Sequence, residues 1–175
     1  MLGSPEISIV IPVYNEEESL PQLFKELYPV MENLPRSFEI IFINDGSRDK
    51  SFAMLYDFQK EHEKTVRIID LNGNFGQHMA ITSGFANVRG KYIITLDADL
   101  QNPPEEIPKI IAKMDEGYDV VGTCRQNRHD PLFRKVASRF VNRMTNRICG
   151  LHISDYGCML RGYSRRIVDI IGKSR

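Results

Sequence analysis

A chain of 175 residues, 42% hydrophobic and 26% charged, is sized for one compact domain and has the composition of an ordinary globular protein. Basic and acidic residues balance at 23 each, yet residues 1–124 hold 11 basic and 20 acidic side chains and residues 125–175 hold 12 and 3, a net −9 against +9. Cys124, Cys149 and Cys158 have neither Cys-x-x-Cys spacing nor the density of a disulfide framework, and no apolar run nears the ~20 residues of a membrane span, which speaks against a zinc ribbon, a disulfide scaffold or a self-spanning membrane protein.

A reducing, cytosolic setting without a signal peptide fits this pattern. In chain order, Ile7 to Val13 is a nearly continuous β-branched run, the pattern of a strand buried on both faces, and it ends in Tyr14-Asn15-Glu16. Ser19 is placed to cap a helix whose Leu20, Leu23, Phe24, Leu27 and Met31 share one face, with Pro29 expected to kink or shorten it. Phe38 to Ile43 is a second strand, ending in Asn44-Asp45-Gly46-Ser47, and a helix follows over 49–61. Val66 to Leu71 is a third, ending in Asn72-Gly73-Asn74-Phe75-Gly76; its helix carries Ile81, Gly84, Phe85 and Val88 and breaks at Gly90. Tyr92 to Leu96 is the fourth strand, Ile107, Ile110, Ile111 and Met114 mark its helix, and Tyr118 to Gly122 is the fifth. A last helix is expected from Phe133 to Ile148.

This alternation predicts an α/β domain with a mostly parallel central sheet flanked by helices. Ligands of such sheets bind beyond the carboxyl ends of the strands. Four of those ends carry the acids, amides and glycines of this chain. The most telling is the fourth, Lys91 to Pro104, where an apolar strand gives way to Asp97-Ala98-Asp99 with Gln101 two residues on. In extended backbone Asp97, Asp99 and Gln101 would project the same way. Two carboxylates and an amide oxygen suit Mg²⁺ or Mn²⁺ bridging to a diphosphate, although the same residues also make a plain polar turn.

Dinucleotide and P-loop sites are unsupported, because neither Gly-x-Gly-x-x-Gly nor Gly-x-x-x-x-Gly-Lys-[Ser/Thr] occurs. Asp45 can accept hydrogen bonds from a base or ribose, but Asp45-Gly46 is also a common turn pair. Glu16 can serve the acidic first turn of a helix, Pro12 can merely end a strand, and His78 is left unassigned. In the basic third, Lys135, Arg139, Arg143 and Arg147 recur every four residues on one helix face. Each like-charge pair costs roughly 0.2–0.5 kcal/mol unless an anion lies opposite, so this face is either solvated or built for an anionic surface.

Taken together, Ile11-Pro12-Val13-Tyr14-Asn15-Glu16, Asn44-Asp45-Gly46-Ser47, Asn74-x-Gly76, Leu96-Asp97-Ala98-Asp99-Leu100-Gln101 and Asp155-Tyr156-Gly157-Cys158-Met159-Leu160-Arg161 resemble the family 2 glycosyltransferases of the GT-A fold. The likeness runs from about Glu6 to Asp169. It is strongest to the polyprenyl-phosphate sugar transferases: dolichyl-phosphate mannose synthases and, through Gly76-Gln77-His78, Asn102-Pro103-Pro104 and Arg125-Gln126-Asn127-Arg128, undecaprenyl-phosphate 4-deoxy-4-formamido-L-arabinose transferases.

The resemblance implies an inverting transfer from a nucleoside-diphosphate sugar, with UDP favoured over GDP, to a polyprenyl phosphate at the cytoplasmic face of the inner membrane. Pro12, Tyr14, Glu16, Asp45, Asn74 and Gly76 would hold the nucleotide. Asp97 would face ribose and diphosphate, Asp99 and Gln101 would bind Mg²⁺ or Mn²⁺, and Asp155 would be a base or donor-sugar contact. Arg134, Ser138 and Asn142 match an Arg-x-x-x-Ser-x-x-x-Asn pattern, so Arg125, Arg128, Arg134 and Ser138 would receive the acceptor phosphate, Arg through its planar fork. Residues 1–175 are read as one catalytic domain, 1–124 on the donor side and 125–175 on the acceptor side, and as a fragment, since no Gly or Pro stops the last helix-like segment. Partners would be the donor, the lipid phosphate and an anionic membrane surface; homo-oligomers are left open. Nucleic acid is not expected as a partner; the rival readings are a transferase of the same fold with a non-lipid acceptor and a nucleotide- or nucleic-acid-binding module without transferase activity. A sugar-nucleotide pyrophosphorylase is disfavoured by the missing Gly-rich loop.

Overall fold

A computed structural model of the chain describes residues 4–123 and 158–173. Six strands form one sheet: β1 Ile7–Val13, β2 Phe38–Asn44, β3 Val66–Asp70, β4 Tyr92–Thr95, β5 Val120–Gly122 and β6 Arg161–Ser164. Their order is β3-β2-β1-β4-β6-β5. The first four are mutually parallel, whereas β6 lies antiparallel between β4 and β5. Five α-helices accompany them among the described residues: α1 Leu20–Glu32, α2 Ser51–Glu61, α3 Gln77–Asn87, α4 Ile107–Asp115 and α5 Arg165–Lys173.

Alternate residues of the central strands feed two separate cores. Ile9, Ile11, Ile40, Phe42 and Ile94 point to the face covered by α1, α2 and α4, and Val10, Ile41, Ile43 and Ile93 point to the face covered by α3 and α5. That double burial explains the nearly continuous apolar runs, and each fully buried Ile or Leu side chain contributes about 1.5–3 kcal/mol. α3 alone carries the chain back from the β3 edge across β2 and β1 to β4. Right-handed crossovers place a helix on the opposite face when the direction of travel reverses. No helix among the described residues is long and apolar enough to cross a membrane.

Local expectations differ in detail. Ser19 precedes α1 but caps nothing; its hydroxyl donates to the Glu16 carboxylate at 2.5 Å instead. Pro29 lies inside α1, which ends one turn later at Glu32. The β6 strand was not anticipated at all, and β5 pairs with it rather than with β4. The expected helix over 133–148 lies outside the described residues.

Candidate functional site

The sheet's register builds the site. Val13, Asn44 and Asp70 lie level with one another at the carboxyl ends of β1, β2 and β3. β4 stops short: its last residue, Thr95, pairs with Val10, three residues below the end of β1. The chain leaving β4 therefore enters a notch beside Ile11, Pro12 and Val13. Past Asp97 the chain turns at Ala98 and Asp99 instead of continuing extended, and Leu100 adopts a positive φ of 60°. The strand alternation expected for Asp97, Asp99 and Gln101 does not exist, yet all three line the same cavity.

The loops after β1 and β2 also contribute to the cavity, through Tyr14, Glu16 and Asp45, and are pinned to each other. Asn15, at φ 55°, donates its N–H to Ser47 Oγ at 3.0 Å and accepts the Arg48 N–H at 2.8 Å. Glu16 N–H donates to Ser51 Oγ at 2.8 Å, Glu17 N–H to Asp49 Oδ2 at 3.1 Å, and Lys50 N–H back to Glu17 Oε2 at 2.9 Å. Burial pushes the Asp49 carboxyl up, but hydrogen bonds from Ser51 and from the Glu17 N–H outweigh it and hold the group below its ordinary range.

Asp45 is buried and joins β2 to the next loop: its Oδ1 accepts the Phe75 N–H and its Oδ2 the Gly76 N–H, both at 2.8 Å. Gly46 makes that approach possible. It sits at φ +69°, and a Cβ there would lie 2.6 Å from the Gly73 carbonyl carbon. Past Gly76, the first residue of α3, Gln77, donates from Nε2 to Asp97 Oδ1 at 2.7 Å. Asp99 Oδ1 accepts the Gln101 N–H at 3.1 Å.

The resulting cavity has a volume of about 410 Å³, within the usual range for small-ligand sites. Pro12, Tyr14, Glu16, Asp45, Asn74, Gly76, Asp97, Asp99 and Gln101 all line it. Val13, Gln77, Ala98 and Met159 line it too and were not anticipated. Gln77 and Met159 stood inside quoted motifs, but nothing in their spacing marked them. Met159 is held by Thr95, whose hydroxyl donates to the Met159 carbonyl at 2.6 Å. Next to it, the buried Cys158 thiol donates to Asn102 Oδ1 at 3.0 Å, while Asn102 Nδ2 is buried without an acceptor. Arg125, Arg128, Arg134, Ser138 and Asp155 lie outside the described residues.

Among the described residues no three His, Cys, Asp or Glu side chains cluster as a preformed metal cage. The donor set on the β4 wall, two carboxylates and an amide oxygen open to a cavity, nevertheless fits a hard divalent cation that takes its remaining oxygens from a ligand. An oxygen-only set of this kind suits hard cations better than soft metals.

The glycosyl transferase family 2 model matches residues 8–172, nearly the whole chain. The chain belongs to that family. Solved structures share the fold at low identity. Glucosyl-3-phosphoglycerate synthase from Mycobacterium tuberculosis, in complex with Mn²⁺, UDP and phosphoglyceric acid, matches at TM-score 0.71 and 16% identity over 93% of this chain and 57% of that one. The mannosyltransferase PcManGT from Pyrobaculum calidifontis, in complex with GDP-Man and Mn²⁺, gives 0.66 and 16% over 98% and 48%. S. aureus TarS 1–349 in complex with UDP gives 0.63 and 18% over 95% and 48%. This family 2 domain thus has the α/β architecture of GT-A glycosyltransferases and spans about half the length of the solved structures it matches.

Proposed function

We propose that this family 2 domain binds a nucleoside-diphosphate sugar, with UDP favoured, and transfers the sugar with inversion to a polyprenyl phosphate at the cytoplasmic membrane face. The observation that carries the donor half is the cavity where the four parallel strands end, lined by Asp45, Asn74, Asp97, Asp99 and Gln101. Neighbours of the same fold were solved in complex with UDP or GDP-Man, two of them with Mn²⁺, which supports a donor of that class.

Asp99 and Gln101 would hold Mg²⁺ or Mn²⁺, and Asp97 would face the ribose and diphosphate. The bound cation would supply Lewis-acid stabilisation of the charge that develops on the departing diphosphate. The chain's own residues do the rest. The pinned loops after β1 and β2 fix Tyr14, Glu16 and Asp45 against the nucleoside side, so that the donor is held in one orientation. The acceptor, a phosphate monoester with a second pKa near 6, is mostly dianionic at neutral pH and needs alignment more than deprotonation. Arg125, Arg128, Arg134 and Ser138 would receive it, with Asp155 as a base or donor-sugar contact.

The neighbour crystallised with phosphoglyceric acid keeps open a second reading, in which the acceptor is a small phosphorylated molecule and not a lipid. Incubating the protein with UDP-sugars, Mn²⁺ and either undecaprenyl phosphate or a water-soluble phosphate monoester, and analysing products by mass spectrometry, decides between them. Glycosylated lipid supports the proposal; glycosylated soluble phosphate alone replaces it with the second reading. Binding that ignores Mn²⁺ and falls steeply with salt would instead indicate a nucleic-acid module.

A further inference from the structure

We propose that Gln77 is a positioning residue for Asp97, setting the orientation of that carboxylate toward the donor; the inference rests on the donor-site reading above. Gln77 opens α3, and its Nε2 lies 2.7 Å from Asp97 Oδ1. The bond links parts of the chain that the sheet keeps apart, since β3, from which α3 departs, and β4, which delivers Asp97, are separated by β2 and β1. It therefore spans two rims of the cavity that both residues line.

Two features indicate a working bond and not a by-product of packing. Gln77 is exposed, so no core contact forces its side chain toward Asp97. The start of α3 is also fixed independently, because the Asp45 carboxylate clamps the N–H groups of Phe75 and Gly76 immediately before it. Asp97 itself lies beyond the last paired residue of β4, where ladder hydrogen bonds no longer hold the backbone.

The residue type matters as well. An amide orients a carboxylate while leaving its full negative charge, whereas an ammonium at the same place would neutralise it and compete with a divalent cation. A carboxylate there would repel Asp97. Gln is thus suited to a site where Asp97 must stay fixed and charged to meet a metal-bound diphosphate or a ribose hydroxyl.

Calorimetry of UDP binding, with and without Mn²⁺, on the wild-type chain and on Q77A, Q77K and H78A tests this, with a melting curve for each. H78A removes the exposed neighbour on the same first turn. Q77A should melt as the wild type does but bind UDP with Mn²⁺ about tenfold more weakly, the loss expected for one hydrogen bond to a charged group. Q77K should also fold normally, yet lose most of the affinity gain that Mn²⁺ gives the wild type. H78A should bind as the wild type does. Wild-type affinity in Q77A, or an equal loss in H78A, overturns the positioning role while leaving the donor site standing. Wild-type protein that binds neither UDP nor GDP with Mn²⁺ overturns the donor reading, and this inference with it.

Discussion

Asp45 Oδ2 accepts the Gly76 N–H at 2.8 Å, so the residue just after β2 holds the residue just before α3. Its other oxygen takes the Phe75 N–H, and the group is only 3% exposed. A side chain whose resemblance implies contact with a base is therefore also a fastener of the cavity wall. Asp45→Asn substitutes an NH₂ for one acceptor and leaves the Phe75 or Gly76 N–H facing a donor, a loss of about 1 kcal/mol or more. We expect a lower melting temperature together with weakened UDP binding in calorimetry. A residue that only read the base would lose the binding and keep the stability.

Gly46→Ala should act on the same junction through the backbone. At φ +69° an L side chain costs roughly 1–2 kcal/mol, and the added Cβ would also meet the Gly73 carbonyl carbon at 2.6 Å. The loop holding Asn74 must then move away. Urea unfolding should show a loss of about 2 kcal/mol or more, and UDP affinity should fall in parallel.

Acid should loosen the opposite end of the sheet. Arg36 donates to both Asp115 oxygens, at 3.2 and 2.7 Å, and the Tyr92 hydroxyl donates to Oδ1 at 2.9 Å. The Arg36 hydrogen bond first, and the Tyr92 hydroxyl second, hold Asp115 below the ordinary carboxylate range. A carboxyl depressed in the folded state stabilises above its unfolded value, near 4, and loses that contribution as pH falls through the folded value. Asp115→Asn should thus melt below the wild type at pH 7, and the gap should close as pH drops under about 4. A gap constant from pH 7 to pH 3 would refute the ion-pair account.

The parallel strands were legible because Ile, Val and Phe facing two cores leave only isolated polar residues, such as Ser8, Glu39 and Arg67, within the apolar runs. β6 was not. Arg161-Gly162-Tyr163-Ser164 has no apolar run, and Gly162 lacks a side chain because one would strike Ile110 and Met114 of α4, at 2.5 and 2.6 Å. Its strand exists through pairing with β4 and β5, which no local pattern encodes. The gathering of Asp97, Asp99 and Gln101 was anticipated on a mistaken ground. Strand alternation ends at Thr95, and what unites them is a turn whose room comes from the early end of β4. Gln77 was invisible for a related reason, since its partner lies 20 residues on and is reached only after a crossover.

The metal reading makes the sharpest separation between these neighbours. Asp99 and Gln101 are assigned to the cation, with Asp97 toward the nucleotide, and no cage of three His, Cys, Asp or Glu side chains exists among the described residues to bind metal without a ligand. Chelation should then weaken UDP binding to the wild type by about tenfold or more, since the diphosphate would meet carboxylates unscreened. Asp99→Ala should bind UDP equally with and without Mn²⁺, because the carboxylate that repels the diphosphate and the ligand that recruits the cation are lost together. Mn²⁺ alone, followed by its paramagnetic resonance signal, should bind the wild type weakly and tightly only when UDP is present. An Asp99→Ala protein that still gains affinity from Mn²⁺ would move the metal away from this residue. Turnover completes the case: Asp99→Asn should abolish transfer, and Asp155→Asn should retain most of it if a dianionic acceptor needs only to be aligned.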